Sequence, residues 1–274
     1  MWNRTAAPAV DVGLEGRRPR RRLWPRRAVR YGIWLLLLLA WEAWGRTQSP
    51  YFFTYPTAIL RATRTMFASG EMVEAILVSL KGLVVGFSLG AVIAVPLGLL
   101  AGRVGYLRRL LNPLMMAFYV TPRLALIPLI IIWIGIGFWA KTAVIWLVCF
   151  FAIYFNVVYG VTSLSRSYLD VAKAHGASEW QVLREVTLPA TLPFIATGLR
   201  LGLGLALIGM VVSEFLIGLT GLGGLIIYYS MRLKTAYIFA AVLVILVMGL
   251  AIMGLAQRLE RKASEWKRTE RAFH

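Results

Sequence analysis

The chain has 274 residues, 59% of them hydrophobic, with a mean hydropathy of +0.71 and a formal net charge of +18 at pH 7. Soluble domains are about 45–50% apolar, so most of this chain must face lipid or other apolar helices. Cys149 is the only cysteine, which excludes an intrachain disulfide framework, and His175 and His274 form no cluster at ligand spacing, so no metal site is expected.

In chain order, the head carries Arg17, Arg18, Arg20, Arg21, Arg22, Arg26, Arg27 and Arg30 directly before an apolar run. With a single aromatic, Trp24, among these arginines and an apolar segment directly after them, this reads as a positive-inside flank against anionic lipid, and no nucleic-acid partner is expected. Residues 1–27 are read as a basic cytoplasmic tail, 28–257 as a membrane domain and 258–274 as a second cytoplasmic tail. Apolar stretches at about 28–45, 76–101, 113–134, 140–163, 192–216 and 236–255 each approach the roughly 20 residues that cross a bilayer. The fold class is therefore all-α integral membrane, with six transmembrane helices. The first span could instead be a cleaved signal peptide, although Trp44 makes a poor cleavage site.

Alternating the spans from an inside start puts Arg103, Arg108, Arg109, Arg166, Lys173, Arg184, Arg258, Arg261 and Lys262 in the cytoplasm. Outside fall only Arg46, Arg61, Arg64, Lys141, Arg232 and Lys234. The bias predicts that both termini are cytoplasmic. Trp41, Trp44, Trp133, Trp139 and Tyr237 fall near span ends, as interface-seeking rings should.

The second span repeats a small residue at every fourth position, Gly82, Gly86, Gly90, Ala94, Gly98 and Gly102, which makes a smooth strip for another helix. In the third, Arg123 lies between Pro122 and Pro128, so the helix is expected to be interrupted, with pathway and structural roles both open. Cys149 in the fourth is expected to be a buried, inert thiol.

The stretch 167–189 differs, because its periodicity is amphipathic. Ser167 is expected to cap a short helix that stops at Gly176, a residue type suited to a left-handed C-terminal position. Ser178 and Gln181 form a capping box that starts a second helix, expected to end before Pro189. Trp180, Leu183 and Val186 give that helix an apolar face, while Glu179, Arg184 and Glu185 stay wet. Alone, such a loop could simply pack back on its own bundle.

An unpaired charge at the bilayer centre costs about 3 kcal/mol or more, so Arg200 and Glu214 should face protein or water. Arg200, near the start of the fifth span, is expected to snorkel toward the cytoplasm. Glu214 lies about 21 Å further along a straight helix, too far to pair with it, and needs a partner elsewhere. The run 218–224, GLTGLGG, lacks the Lys-Ser/Thr of a phosphate-binding loop and reads as a bend between spans.

Asp170, Val171 and Ala172, then Gly176, then Val186, Leu188 and Pro189 resemble, at matched offsets, the Glu-Ala-Ala, Gly, Ile-x-Leu-Pro loop of binding-protein-dependent ABC importer permeases. Asp170, Val171 and Val186 depart from it conservatively. Thr121, Pro122, Arg123, Leu124 and Pro128, followed by Trp133, Gly135, Gly137 and Lys141, look like the third span of the nitrate, sulfonate and taurine subfamily. Gly198, Leu199, Arg200, Ser213, Glu214, Gly221, Leu222 and Gly223 are similar to its fifth. The likeness covers about 82–225.

What the resemblance implies is a type I ABC importer permease with a coupling-helix loop at about 165–189, multi-pass in the bacterial cytoplasmic membrane. It implies partners: an ATPase in two copies, a second permease copy as a homodimer, and an external solute-binding protein. ATP and Mg would be bound by the ATPase, with no catalysis and no cofactor on this chain. The solute would be nitrate, bicarbonate, a sulfonate such as taurine, or a vitamin precursor. Coupling to the ATPase is carried onto Asp170, Ala172, Ala174, Gly176 and Ala177, and onto Trp180, Leu183, Leu188 and Pro189. Arg123, Pro128 and Glu214 are candidates for the pathway or its gate. A secondary, ion-coupled transporter would need internal repeats with midplane ion sites, and an intramembrane enzyme would need a nucleophile, base or metal constellation. Neither pattern is present.

Overall fold

A computed structural model of the protein describes residues 26–218 and 220–270. Most of the tail expected at 1–27, and Arg271 and His274 at the other end, lie outside the described residues. All regular structure among those described is helical: α1 Arg26–Gly45, α2 Pro56–Ala68, α3 Glu71–Arg103, α4 Gly105–Val120, a 3-10 turn Arg123–Leu126, α5 Ile127–Ile134 and α6 Phe138–Thr162. There follow α7 Arg166–Ala174, α8 Glu179–Gln181, a π-helical stretch Val182–Thr187, α9 Leu188–Ile217, α10 Gly221–Ser230 and α11 Thr235–Glu270.

Four of these runs are long and apolar enough to cross a membrane: α3, α6, Glu179–Ile217 and Thr235–Lys262. A fifth forms if α4 and the arm Arg123–Ile134, bent by 87°, count as one span. The bend sits where the sequence requires it: Thr121 precedes a proline and takes an extended backbone, φ −60 and ψ 136. Helix α1 has spanning length but is not among the five: Arg30 and Glu42, with its glycines and aromatic rings, lower the mean hydropathy of its apolar run. It is tied to the rest at its end, where Trp41 Nε1 donates to Thr54 O at 2.9 Å and Glu42 Oε2 accepts the Thr57 N–H at 3.0 Å.

Helix α6 is the axis of the fold, with Ile145, Cys149, Ile153, Tyr154 and Val157 buried along it. On one side lies the small-residue strip of α3. A Cβ added at Gly86 would come within 2.7 Å of Ile145 Cβ, one at Gly90 within 2.6 Å of Cys149 Sγ, and one at Gly98 within 2.8 Å of Val157 Cβ. The strip thus serves close helix packing, and the Cys149 thiol fills its groove. Helix α9 approaches α6 from another side in the same way, with Gly202 over Ile153.

Helix α11 lies against α9, where its Glu260 Oε2 sits 2.5 Å from Arg200 Nε and Glu260 Oε1 accepts from Thr197 Oγ1 at 2.7 Å. Arg200 is therefore paired with a carboxylate near the far end of α11, and its side chain stays 33% exposed. Its partner lies 60 positions later, beyond any local pattern.

Candidate functional site

Two polar assemblies stand out against the apolar bundle. The first is the connection between α6 and α9. Helix α7 is capped by Ser165, whose side chain accepts the Ser167 N–H, so the cap is two residues earlier than expected. Its far end closes as expected. Gly176 has φ +77, its N–H reaches Lys173 O at 2.9 Å, and the Ala177 N–H reaches Ala172 O at 3.1 Å, the paired bonds of a Schellman motif. The capping box is complete, with Gln181 N–H donating to Ser178 Oγ at 3.3 Å and Ser178 N–H to Gln181 Oε1 at 2.8 Å.

The second helix of this loop does not end before Pro189. Over Val182–Thr187 the turn widens to π geometry, with Leu188 N–H bonded to Leu183 O, and the chain runs on into α9 with Pro189 in its first turn. Pro189 lacks the N–H that a continuous helix would bond back to the preceding turn, and the wider π turn directly ahead of it lets the run pass through. The widened turn also resets the buried face. Val182 and Thr187, five apart, are buried, Leu183, Val186, Leu188 and Pro189 are half-buried, and Trp180 is 67% exposed. Trp180 points outward, as do Tyr168 and Val171, and so does not share one face with Leu183 and Val186 as expected. Asp170, Ala174 and Gly176 are exposed, and Ala172 and Ala177 half-buried.

One carboxylate bridges the loop, unanticipated from the sequence. Glu179 is paired with Arg103, the last residue of α3, and with Lys173 Nζ of α7 at 3.0 Å. In this exposed loop the hydrogen bonds from Arg103 and then Lys173, with their charges, hold the Glu179 carboxyl below its usual range.

The second assembly is buried at the opposite end of α9. Glu214 is 3% exposed and accepts Ser79 Oγ of α3 on Oε1 at 2.6 Å and the Gly223 N–H on Oε2 at 2.7 Å. Ser79 Oγ in turn accepts the Leu222 N–H at 2.9 Å. The glycine-rich run is thus more than a bend: the first turn of α10 aims one free N–H at an internal carboxylate and the one before it at the hydroxyl bonded to that carboxylate. Gly221 has φ +77, and a Cβ there would lie 2.1 Å from Glu214 Oε1, so only glycine fits. Lys141, expected in an external loop, is buried in the first turn of α6 and donates to Gly218 O at 3.0 Å and to Thr220 Oγ1. A cavity of about 230 Å³ adjoins the cluster, lined by Phe138, Lys141, Ile145, Met210, Ser213 and Glu214 among others.

Arg123 stands apart from this cluster. Its Nη1 donates to Val148 O, midway along α6, at 3.0 Å, and its guanidinium lies 5.1 Å from the Tyr119 ring centroid. The interrupted third span therefore satisfies its arginine within the chain, and Pro128 is exposed in the first turn of α5.

A family model described as a binding-protein-dependent transport system inner membrane component matches residues 94–265. The chain belongs to this family. The permease is 35% identical over 263 residues to the riboflavin transport system permease protein RibX of Chloroflexus aurantiacus, covering 95% of this chain and 97% of that protein. It is 31% identical over 212 residues to the putative aliphatic sulfonates transport permease protein SsuC of Bacillus subtilis, covering 77% of each. Its fold matches a chain of the MetNI methionine ABC transporter in inward-facing conformations, with a TM-score of 0.62 at 20% identity over 70% of this chain and 95% of that one. It is an ABC transporter permease of importer type, a membrane-spanning transport component.

Proposed function

We propose that this permease is one half of a two-permease pore in the bacterial cytoplasmic membrane, loaded by an external solute-binding protein and driven by two copies of a separate ATPase. ATP and Mg belong to that ATPase. The pair is read as a homodimer, with six spans per copy, α1 as the first, and both tails cytoplasmic; the domain bounds are 1–27, 28–257 and 258–274. Reporter fusions check the topology: active on the cytoplasmic side at His274, on the external side at Arg64.

The observation that supports this reading is the loop between α6 and α9. A connector needs no Schellman end, no capping box and no outward tryptophan, yet this loop has all three. Tyr168, Val171 and Trp180 are exposed apolar groups on a rigid two-helix support, the kind of anchor that fills a partner's groove. Asp170, Ala172, Ala174, Gly176 and Ala177 shape the first helix and its turn. Leu183, Leu188 and Pro189 seat the second helix on the bundle.

The solute is read as a small anion or heterocycle of the nitrate, bicarbonate, sulfonate or vitamin-precursor class, consistent with relatives named for riboflavin and for aliphatic sulfonates. Ligand screening of the cognate binding protein identifies it. Arg123 and Pro128 in the broken third span are read as pathway elements, and Glu214 as a gate anchor.

Gly176→Val tests the docking role, because a β-branched residue resists φ +77. The variant should insert normally yet fail to retain the ATPase or to show solute-stimulated ATP hydrolysis. Wild-type behaviour in both assays would reduce the loop to a connector.

A further inference from the structure

The docking loop is joined covalently to α6, which enters it, and to α9, which leaves it. Helix α3 has no such connection. It ends beside the loop at Arg103, its last turn pressed on α6, where a Cβ on Gly102 would lie 2.6 Å from Val161 Cβ. From there Arg103 reaches Glu179, 76 positions later and the first residue of α8. The other carboxylate oxygen of Glu179 meets Lys173 of α7 at 3.0 Å. One side chain therefore holds three elements: α3, α7 and the start of the run that becomes α9.

The packing beneath is incomplete. A cavity of about 170 Å³ separates the loop from the helix ends, bordered by Gly102, Val161, Leu164, Leu169, Val182 and Thr187. The loop thus rests partly over a gap, and the ion pairs bridge its rim. Glu179 and Lys173 side chains are 70% and 56% exposed, and that of Arg103 20%. Ion pairs to a solvent-exposed carboxylate contribute little to folding stability, so the packing of the helices does not depend on this arrangement. It is well placed to decide which helices move together.

We propose that Glu179 is a positioning residue that carries displacement of the docking loop into α3, with Arg103 and Lys173 as its two holders. Lys173 fixes α7 against α8 across the Gly176 turn, and Arg103 fixes α8 to α3. With the clamp closed, α3 and α9 share their displacement at this end of the molecule. With it open, the loop turns over the gap, and the ATPase works without moving α3.

The inference rests on the loop being the ATPase dock, and the test separates the two. The complete transporter, reconstituted in vesicles with its ATPase and binding protein, is assayed for solute taken up per ATP hydrolysed and for ATPase retention. Glu179→Gln and Arg103→Gln should each retain the ATPase yet lower uptake per ATP about threefold or more, the size expected when one link of a coupling network is cut. The triple reversal Arg103→Glu, Lys173→Glu, Glu179→Arg rebuilds both pairs with opposite sign and should restore the wild-type ratio. An unchanged ratio in Glu179→Gln, or no recovery in the triple variant, overturns the clamp. Loss of the ATPase in Glu179→Gln also overturns it, because Glu179 would then touch the partner directly. Failure of the docking reading shows elsewhere, as full ATPase retention in Gly176→Val.

Discussion

Two glutamates stand at opposite ends of the run Glu179–Ile217, and α3 supplies a partner to each. At the loop end Glu179 is exposed and held by the long, charged side chains of Arg103 and Lys173. At the other end Glu214 is buried and held by the hydroxyl of Ser79 and by a backbone N–H of α10. The same functional group thus serves two mechanical purposes. An exposed ion pair in water can part and re-form at little cost, whereas a buried carboxylate that loses its donors has no solvent to replace them. The loop end is held by contacts that solvent can replace, and the Glu214 end by contacts that it cannot.

The largest expected effect lies in the buried cluster. Glu214→Leu leaves the Gly223 N–H and the Ser79 hydroxyl without their acceptor, at a cost of about 1–3 kcal/mol for each orphaned group. The detergent-solubilised protein should melt at clearly lower temperature, and a wild-type melting curve would show that the cluster is not structural. Glu214→Gln should have a smaller effect, since the shape is kept and only the charge is lost. It should insert at normal level yet transport poorly, and full uptake would remove Glu214 from gating.

At the loop end the contrast reverses. Trp180→Ala should leave the melting temperature unchanged because the ring is exposed, while weakening ATPase binding by about 1–3 kcal/mol. Titration of solubilised permease with purified ATPase measures this. A destabilised protein with unaltered ATPase affinity would assign the ring to the fold instead.

Much of this division was legible in the sequence, wherever the signal was local. The Ser178–Gln181 box, the left-handed Gly176 and the strip from Gly82 to Gly102 depend on spacings of three or four residues, and each forms as expected. The burial of Glu214 followed from the cost of a charge in hydrocarbon. Its partners did not, because Ser79 lies 135 positions earlier and Gly223 offers only backbone. The Arg200–Glu260 and Arg103–Glu179 pairs were hidden for the same reason. Trp180 does not share one face with Leu183 and Val186 as expected, because an α period was extended across a segment that adopts π geometry, where the buried positions are Val182 and Thr187. The helix was likewise expected to end before Pro189, but the π turn directly ahead of the proline carries the run through it.

The central claim, that the outward face of the α7–α8 loop docks on the ATPase, has a direct test in the chain's cysteine content. Cys149 is the only cysteine and is buried, so Trp180→Cys places one reactive thiol on the loop, and Met231→Cys, at another exposed position, serves as a control. Each variant, co-expressed with the ATPase, is labelled with a thiol-directed photocrosslinker and irradiated in membranes. A permease–ATPase adduct from Trp180→Cys and none from Met231→Cys is the predicted result. No adduct from Trp180→Cys, in complexes that still hydrolyse ATP in response to solute, would contradict the docking assignment.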